Sequence, residues 1–168
     1  MERRKCLLAV ENIDSNDLLA FKKNIAAIHD HNRLFQLSSY GDPTIILCRA
    51  AITGRTEMIK ILLQISNIKI DKADGKGATP LQLAMDFRHF QTAQLLIEQG
   101  ANPVFQVGRS AMHLAAESGH TGVIVAAMAK NIDPDVRDEK GNTAMHVAVR
   151  HCEINIVQIL LGLSLIHI

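Results

Sequence analysis

A short pattern recurs three times in this chain of 168 residues and constrains its fold more than any other feature. A Thr or Ser is followed by Pro or Ala and then by Leu or Met, in copies that begin at Thr79, Ser110 and Thr143. The copies lie 31 and 33 residues apart, from 79 to 110 and from 110 to 143. Self-similarity with such a period indicates a repeat architecture, in which each unit buries its apolar face against its neighbours.

The copy at Thr79 predicts two short helices joined by a turn. Thr79 can cap a helix by accepting a hydrogen bond from a free backbone N–H, and Pro80 suits the first helical position because its missing N–H costs nothing there. Helical phase is lost around Arg88, and a second helical run ends at Gly100, which adopts positive φ at little cost. The residues predicted to face the core are Leu81, Leu83, Ala84, Ala93, Leu96 and Ile97.

The motif, its period and the Gly-Ala-Asn-Pro ending that begins at Gly100 resemble the ankyrin repeat family, whose unit is a β-turn followed by two helices. The resemblance implies an all-α solenoid of stacked helix–turn–helix units with β-turn tips. It divides the chain into an atypical N-terminal helical capping unit, a degenerate repeat and three further repeats, the last truncated or non-native from about residue 162. Their respective bounds are 1–40, 41–71, 72–104, 105–135 and 136–168.

The units at the two ends depart most from the family pattern. In the N-terminal capping unit, Asp14 or Ser15 is predicted to cap a helix that turns Leu18, Leu19 and Phe21 inward. The alternative to a cap is a separate functional segment. The degenerate repeat has Ile45 at the cap position, yet its helix pair is expected to form because it keeps an apolar stripe. That stripe consists of Ala50, Ala51, Ile59, Leu62 and Leu63.

The final repeat is predicted to end early. Its second helix is expected over 154–161, and the apolar run 163–168 follows where a terminal unit would present polar residues. Either further repeats follow in a longer protein, or the last residues are not native sequence. We therefore expect the chain to be a fragment of a protein with further ankyrin repeats or other domains.

Composition narrows the function. A formal net charge of +1 lacks the basic footprint of a nucleic-acid binder, so no nucleic-acid partner is expected. Cys6, Cys48 and Cys152 form no disulfide pattern and fit a reducing compartment, so we expect the cytoplasm, with the nucleus as the alternative. The longest apolar stretch, 156–166, is interrupted and too short to span a membrane, so this segment is not expected to insert into one.

The histidines raise the question of a metal site or an enzyme. His113 and His146 occupy the third position after the cap, and the resemblance implies that they bond the cap hydroxyls of Ser110 and Thr143 and the neighbouring turn backbone. His146, His151 and Cys152 could be imagined as zinc ligands, but the two histidines do not share a helical face and no second cluster completes the set. We predict no catalytic residue, metal or cofactor; a metal-dependent enzyme is the weakest alternative.

A binding surface remains as the functional prediction. The resemblance implies that partner proteins bind along the turn tips and the outer positions of each first helix, on a concave face. Phe87, Arg109 and Arg150 are candidate anchors, since aromatic and Arg residues dominate binding hot spots; the alternative is a solvated face with one exposed Phe. The predicted partner-binding residues are Lys76, Ala78, Asp86, Phe87, Val107, Arg109, Glu117, Ser118, Glu139, Lys140, Asn142, Arg150 and His151.

The leading functional hypothesis is therefore a non-enzymatic protein–protein interaction module or scaffold. The alternative hypothesis is a cytosolic regulatory segment of a larger protein such as an ion channel or a kinase.

Overall fold

The computed structural model describes residues 8, 11–26, 43–64, 68–105 and 109–164, with side chains throughout except at 43–45 and 163–164. Within these ranges the chain forms helices and turns and no strand, which confirms the all-α prediction. A single antiparallel bridge joins Val104 and Ser110. The main helices are α1 (Leu18–Ala26), α2 (Pro43–Ile52), α3 (Thr56–Leu63), α4 (Pro80–Asp86), α5 (Phe90–Glu98), α6 (Ala111–Ser118), α7 (Thr121–Ala129), α8 (Ala144–Arg150) and α9 (Ile154–Ser164).

The hairpin of α4 and α5 has the caps and stops that its sequence predicts. Thr79 Oγ1 accepts a hydrogen bond from the Gln82 N–H at 3.2 Å, and Pro80 occupies the first turn. Arg88 separates the helices with a φ of +60°, and Gly100 follows the second helix with a φ of +98°. The six residues predicted to face the core of this hairpin are all buried.

The other hairpins repeat this geometry with different residues. Asn131 has a φ of +57° after α7, where it replaces the Gly that ends the preceding hairpin. Cys152 has a φ of +59° between α8 and α9, where Gly119 with a φ of +75° separates α6 and α7. The loop conformation is therefore kept even where the sequence lacks glycine.

The turns before α4, α6 and α8 share a closing backbone hydrogen bond. The N–H of Asp138 donates to the Asn142 carbonyl at 2.8 Å, and the N–H of Phe105 donates to the Arg109 carbonyl at 2.9 Å. Phe105 stands where the other two turns have Asp, and its side chain is buried. The closing hydrogen bond is therefore kept without the acidic residue.

The chain divides into two compact units, residues 1–92 and 93–168. In the first unit, α2 packs against α3 and α4, and α1 packs against α3. In the second unit, α6 packs against α7 and α8, and α9 packs against α8 and α7. Within each unit, the first helix of one hairpin thus lies beside the first helix of the next hairpin, and the second helices pair in the same way. This is the stacking of a helical solenoid.

Aliphatic and small residues fill the core, as the near absence of large aromatics requires. Ala50, Ala51, Ile59 and Leu62 of the degenerate repeat are buried as predicted, whereas Leu63 is only half-buried. Each fully buried Leu or Ile contributes about 1.5–3 kcal/mol relative to its exposed state. The degenerate repeat therefore keeps most of the packing energy expected of a hairpin.

The prediction for the N-terminal helix was wrong in two respects. Asp17 caps α1, because its Oδ1 accepts the Ala20 N–H at 2.9 Å, and neither Asp14 nor Ser15 does so. Asp14 instead forms a salt bridge with Arg49 at 2.7 Å. With the helix starting at Leu18, Phe21 is buried but Leu19 is 80% exposed.

Two predicted helix bounds were also wrong. Helix α2 begins at Pro43, so Ile45 lies inside the helix instead of at its cap. Helix α9 does not end at Leu161 but continues through Gly162 to Ser164. Two predicted features, Val107 and the end of the apolar run at 165–168, lie outside the described residues.

Candidate partner-binding surface

The turn tips are shaped by an aspartate that binds its own backbone. Asp138 Oδ1 accepts hydrogen bonds from the N–H groups of Lys140 at 2.9 Å and Asn142 at 2.8 Å. The Asn142 N–H is the main reason that the pKa of the Asp138 carboxyl lies below its ordinary value. Asp74 accepts from the N–H groups of Lys76 and Ala78 in the same way, at 2.8 and 3.0 Å. The side chains at the tips therefore project from fixed backbone positions.

The two motif histidines bind the cap residues, which confirms that prediction. The N–H and Oγ of Ser110 lie 3.2 and 2.8 Å from Nδ1 of His113. The N–H and Oγ1 of Thr143 lie 3.3 and 2.8 Å from Nδ1 of His146. Because a backbone N–H can only donate, Nδ1 is the acceptor in both rings and the ring proton lies on Nε2.

His113 also links its repeat to the next turn. Its Nε2–H donates to the Asn142 carbonyl at 3.0 Å, and its side chain is only 2% exposed. The Asn142 side chain donates to the Asp138 carboxylate and accepts from Arg150 Nη2 at 3.1 Å. This network ties the start of α6, the turn at 138–142 and the end of α8 into one structure.

A cleft of about 260 Å³ lies in the second unit, beside this network. Its wall comes from the turn before α8 and from the outer positions of α6 and α8. Six of the predicted partner-binding residues meet around it, and His113, Asp138 and Val147 complete the lining. The six are Arg109, Glu117, Glu139, Lys140, Arg150 and His151.

The charges around the cleft are partly paired within the protein. Arg109 Nη2 lies 2.8 Å from the Glu117 carboxylate, in a salt bridge that is about half exposed at both ends. Arg150 has only the neutral Asn142 oxygen as its hydrogen-bond partner among the described residues. The exposed ion pair of Arg109 and Glu117 contributes roughly 0–1 kcal/mol to stability, so its main effect here is to orient the two side chains.

The remaining predicted residues lie elsewhere or serve the cleft indirectly. In the first unit, Lys76 and Asp86 are exposed, Ala78 is half-buried, and Phe87 caps the end of α4 with 54% of its side chain exposed. In the second unit, Asn142 and Ser118 are half-buried and do not line the cleft. Asn142 positions Arg150, whereas Val107 is outside the described residues.

Sequence reasoning missed three residues that line the cleft. Asp138 was missed, although the Asp-x-x-Gly spacing that ends at Gly141 is a signal for a turn in which the carboxylate binds the backbone. His113 was predicted to be structural, and its hydrogen bond to the Asn142 carbonyl also holds the turn that borders the cleft. Val147 is an apolar residue of α8 that is 93% buried.

The described residues include neither a group of metal ligands nor a membrane-spanning helix. No three His, Cys, Asp or Glu side chains converge there as ligands would. Two of the residues considered as zinc ligands have other roles. The His146 ring forms a hydrogen bond with Thr143, and Cys152 lies in the turn between α8 and α9. No helix in these ranges combines the length and apolarity needed to cross a bilayer.

Comparison with known protein families agrees with the repeat geometry. The family model described as ankyrin repeats (3 copies) matches residues 7–107 and 102–167. The chain therefore belongs to the ankyrin repeat family, as its motif and period predicted. Ankyrin repeats are protein-interaction modules, and the family is generally non-enzymatic.

Curated relatives share parts of this sequence. The chain is 36% identical over 148 residues to transient receptor potential cation channel subfamily A member 1 of Homo sapiens, which covers 85% of this chain and 13% of that protein. It is 32% identical over 119 residues to the ankyrin repeat and KH domain-containing protein mask-1 of Caenorhabditis elegans, covering 68% and 4%. Inversin of Gallus gallus is 31% identical over 105 residues, covering 61% and 9%. The chain thus spans a small part of each relative.

Proposed function

We propose that this chain is a non-enzymatic interaction module that holds a partner protein against its turn tips and first helices. The observation that carries the proposal is the convergence of six residues, chosen from repeat register alone, around one cleft of about 260 Å³. The lining of the cleft is mostly polar and charged, with Val147 as its apolar member.

The backbone beneath this surface is ordered before any partner binds. Asp138, Asn142 and His113 fix the turn through hydrogen bonds of 2.8–3.0 Å. Because the protein has little backbone freedom to lose there, binding costs less conformational entropy than it would on a free loop. The surface therefore suits recognition of a flexible partner segment, because most of the conformational entropy lost on binding is then lost by that segment.

A binding measurement with matched surface changes tests this proposal. Peptides selected from a random 12-residue display library on the purified chain provide the probe. Lys140→Ala and Arg150→Ala are expected to weaken the selected peptides by about tenfold or more, as truncated hot-spot residues do. Lys130→Ala is the control, because Lys130 is an exposed cation outside the cleft. Equal affinities for all variants would refute the proposed site.

We propose a cytoplasmic location for this module. Among the described residues, Cys48 is buried, whereas Cys152 is an exposed free thiol. An exposed thiol persists in a reducing compartment and is oxidised readily outside it. Labelling of Cys152 with a thiol reagent in intact cells checks this, since oxidised protein would not react.

A second candidate function is a regulatory segment within a larger protein, such as an ion channel. One relative that shares 36% identity over 148 residues is a cation channel subunit. The last hairpin also exposes positions that the preceding hairpin buries. His146 is exposed where His113 is buried, and Val149 is 60% exposed where Ala116 is fully buried.

A groove of about 780 Å³ adjoins this exposed face within the second unit. Its lining includes the side chains of Val125, Met128, Met145, His146 and Leu160. Among the described residues, Nε2 of His146 has no hydrogen-bond partner, whereas Nε2 of His113 donates to the next turn. The face is therefore suited to receive another hairpin whose turn carbonyl accepts from His146.

Appending one consensus hairpin after residue 161 tests the second candidate. We expect the melting temperature to rise by several degrees, because the added hairpin covers apolar surface and pairs His146. The control is the same extension on a His146→Ala variant, where the gain should be smaller. An unchanged melting temperature would contradict this candidate and leave the first untouched.

A further inference from the structure

We infer that the cleft of the second unit recognises a carboxylate side chain, an Asp or Glu of the partner segment, with Arg150 as its anchor. The inference rests on the proposed interaction function and adds the chemistry of the ligand to it.

Two equivalent pairs of residues differ in their charge balance. Arg109 precedes the cap of α6 and forms a salt bridge with Glu117 at 2.8 Å. One repeat later, 33 residues on, Asn142 and Arg150 occupy the same two positions and form a hydrogen bond of 3.1 Å. The geometry is retained, but in the second pair the cation faces a neutral amide. Arg150 therefore has a fixed orientation without a counter-charge.

The other charges of the cleft do not supply this counter-charge. The lining contains three cations and three anions. The Glu117 carboxylate is held by Arg109, and the Asp138 carboxylate accepts from the N–H groups of its own turn. What remains available to a ligand is Lys140 and Arg150 on the positive side and Glu139 on the negative side. An incoming anion therefore finds Arg150 and Lys140 as its cationic partners in the cleft.

The chemistry of the Arg150 group favours a carboxylate. A guanidinium carries five N–H donors in a planar fork, and the single bond to Asn142 leaves four of them for a ligand. A carboxylate accepts two parallel bonds from such a fork, whereas an amide side chain accepts at one oxygen only.

Peptide selection tests the inference directly. A random 12-residue display library is selected on the wild-type chain, and the strongest binder is resynthesised with each acidic residue changed to its amide, Asp to Asn or Glu to Gln. We expect one such change to weaken binding by about tenfold, the usual effect of a charge-assisted hydrogen bond. This comparison requires no protein variant, so it does not depend on the folding of a mutant.

Protein variants then assign the effect to Arg150. Arg150→Gln should remove the difference between the acidic and the amide peptide, and Lys130→Gln should leave that difference unchanged. Arg150→Lys should keep a smaller preference for the acid, because it retains the charge and loses the fork. Glu117→Gln, which releases Arg109, should increase the preference. The thermal melting of each variant reports that it is folded.

Each result bears on a different claim. Cleft-dependent peptides whose acidic and amide forms bind equally well would overturn this inference and leave the proposed function standing. A preference for the acid that survives in Arg150→Gln would also overturn it, since the anchor would lie elsewhere. Recovery of no peptide that depends on the cleft would overturn both.

Discussion

The hairpins that begin at Ser110 and Thr143 carry nearly the same motif, yet their surroundings differ. In both, a histidine ring accepts from the N–H of the cap residue. In the first hairpin the ring is buried and its Nε2 binds the following turn, whereas in the second the ring is exposed. The motif therefore specifies a helix start locally, and most of its stabilising effect comes from the neighbouring repeat that covers it.

The largest expected effect comes from paired core truncations. Met112 is fully buried and Met145, 33 residues later, is half-buried. We expect Met112→Ala to lower the free energy of unfolding by about 2–5 kcal/mol, because it leaves a cavity, and Met145→Ala by less than half as much. Urea denaturation followed by circular dichroism measures both. Equal losses would mean that the neighbouring repeat does not determine the energetics.

A smaller effect of opposite sign is expected at the turn between α8 and α9. Cys152 has a φ of +59°, whereas Gly119 occupies the equivalent turn. Cys152→Gly should raise the free energy of unfolding by about 0.5–1 kcal/mol, since it removes backbone strain that exceeds the added freedom of the unfolded chain. Cys152→Ala keeps the strained φ and serves as the control. A gain in the Ala variant as large as in the Gly variant would exclude strain as the cause.

The smallest effect should be the acid response of the turn at 138–142. The pKa of Asp138 is lowered in the folded protein, chiefly by the N–H of Asn142. Its ionised form therefore stabilises the fold above its ordinary pKa, and this contribution is lost as the pH falls through the lower pKa of the folded protein. Asp138→Asn should flatten the stability profile in that range. Superimposable acid profiles would contradict this role.

Much of the fold could be predicted because particular residues permit few conformations. Thr79 with Pro80 allows a helix to begin, and Gly100 or Asn131 allows one to end. The N-terminal cap was missed because Asp14, Ser15 and Asp17 are all good cap residues within four positions, so the local signal did not distinguish them. Tertiary packing decided instead, with Asp14 engaged by Arg49.

The length of α9 was mispredicted for a related reason. Gly162 was expected to mark the end of the helix, but a glycine inside a helix costs only about 1 kcal/mol. Apolar neighbours such as Leu160, which is buried, offset a cost of that size. A single residue preference therefore does not fix a helix end when packing favours continuation.

The candidate site was predictable in position but not in its internal pairing. Repeat register identified Arg109, Glu117 and Arg150 as outward-facing residues of the second unit. It could not indicate that Arg109 pairs with Glu117 while Arg150 faces Asn142, because that depends on side-chain rotamers and on the turn that Asp138 fixes. That these residues bind a partner stays a prediction.

The most direct test of the central claim compares His113→Ala with His146→Ala in urea denaturation. His113→Ala removes the bond between repeats to the Asn142 carbonyl and leaves the buried Ser110 hydroxyl without its ring partner, so we expect a loss of about 2–3 kcal/mol. His146→Ala removes the cap contact with the buried Thr143 but no bond to a following turn, and should cost about 1 kcal/mol or less. Losses of equal size would contradict the claim that a neighbouring repeat supplies most of the stability of the motif.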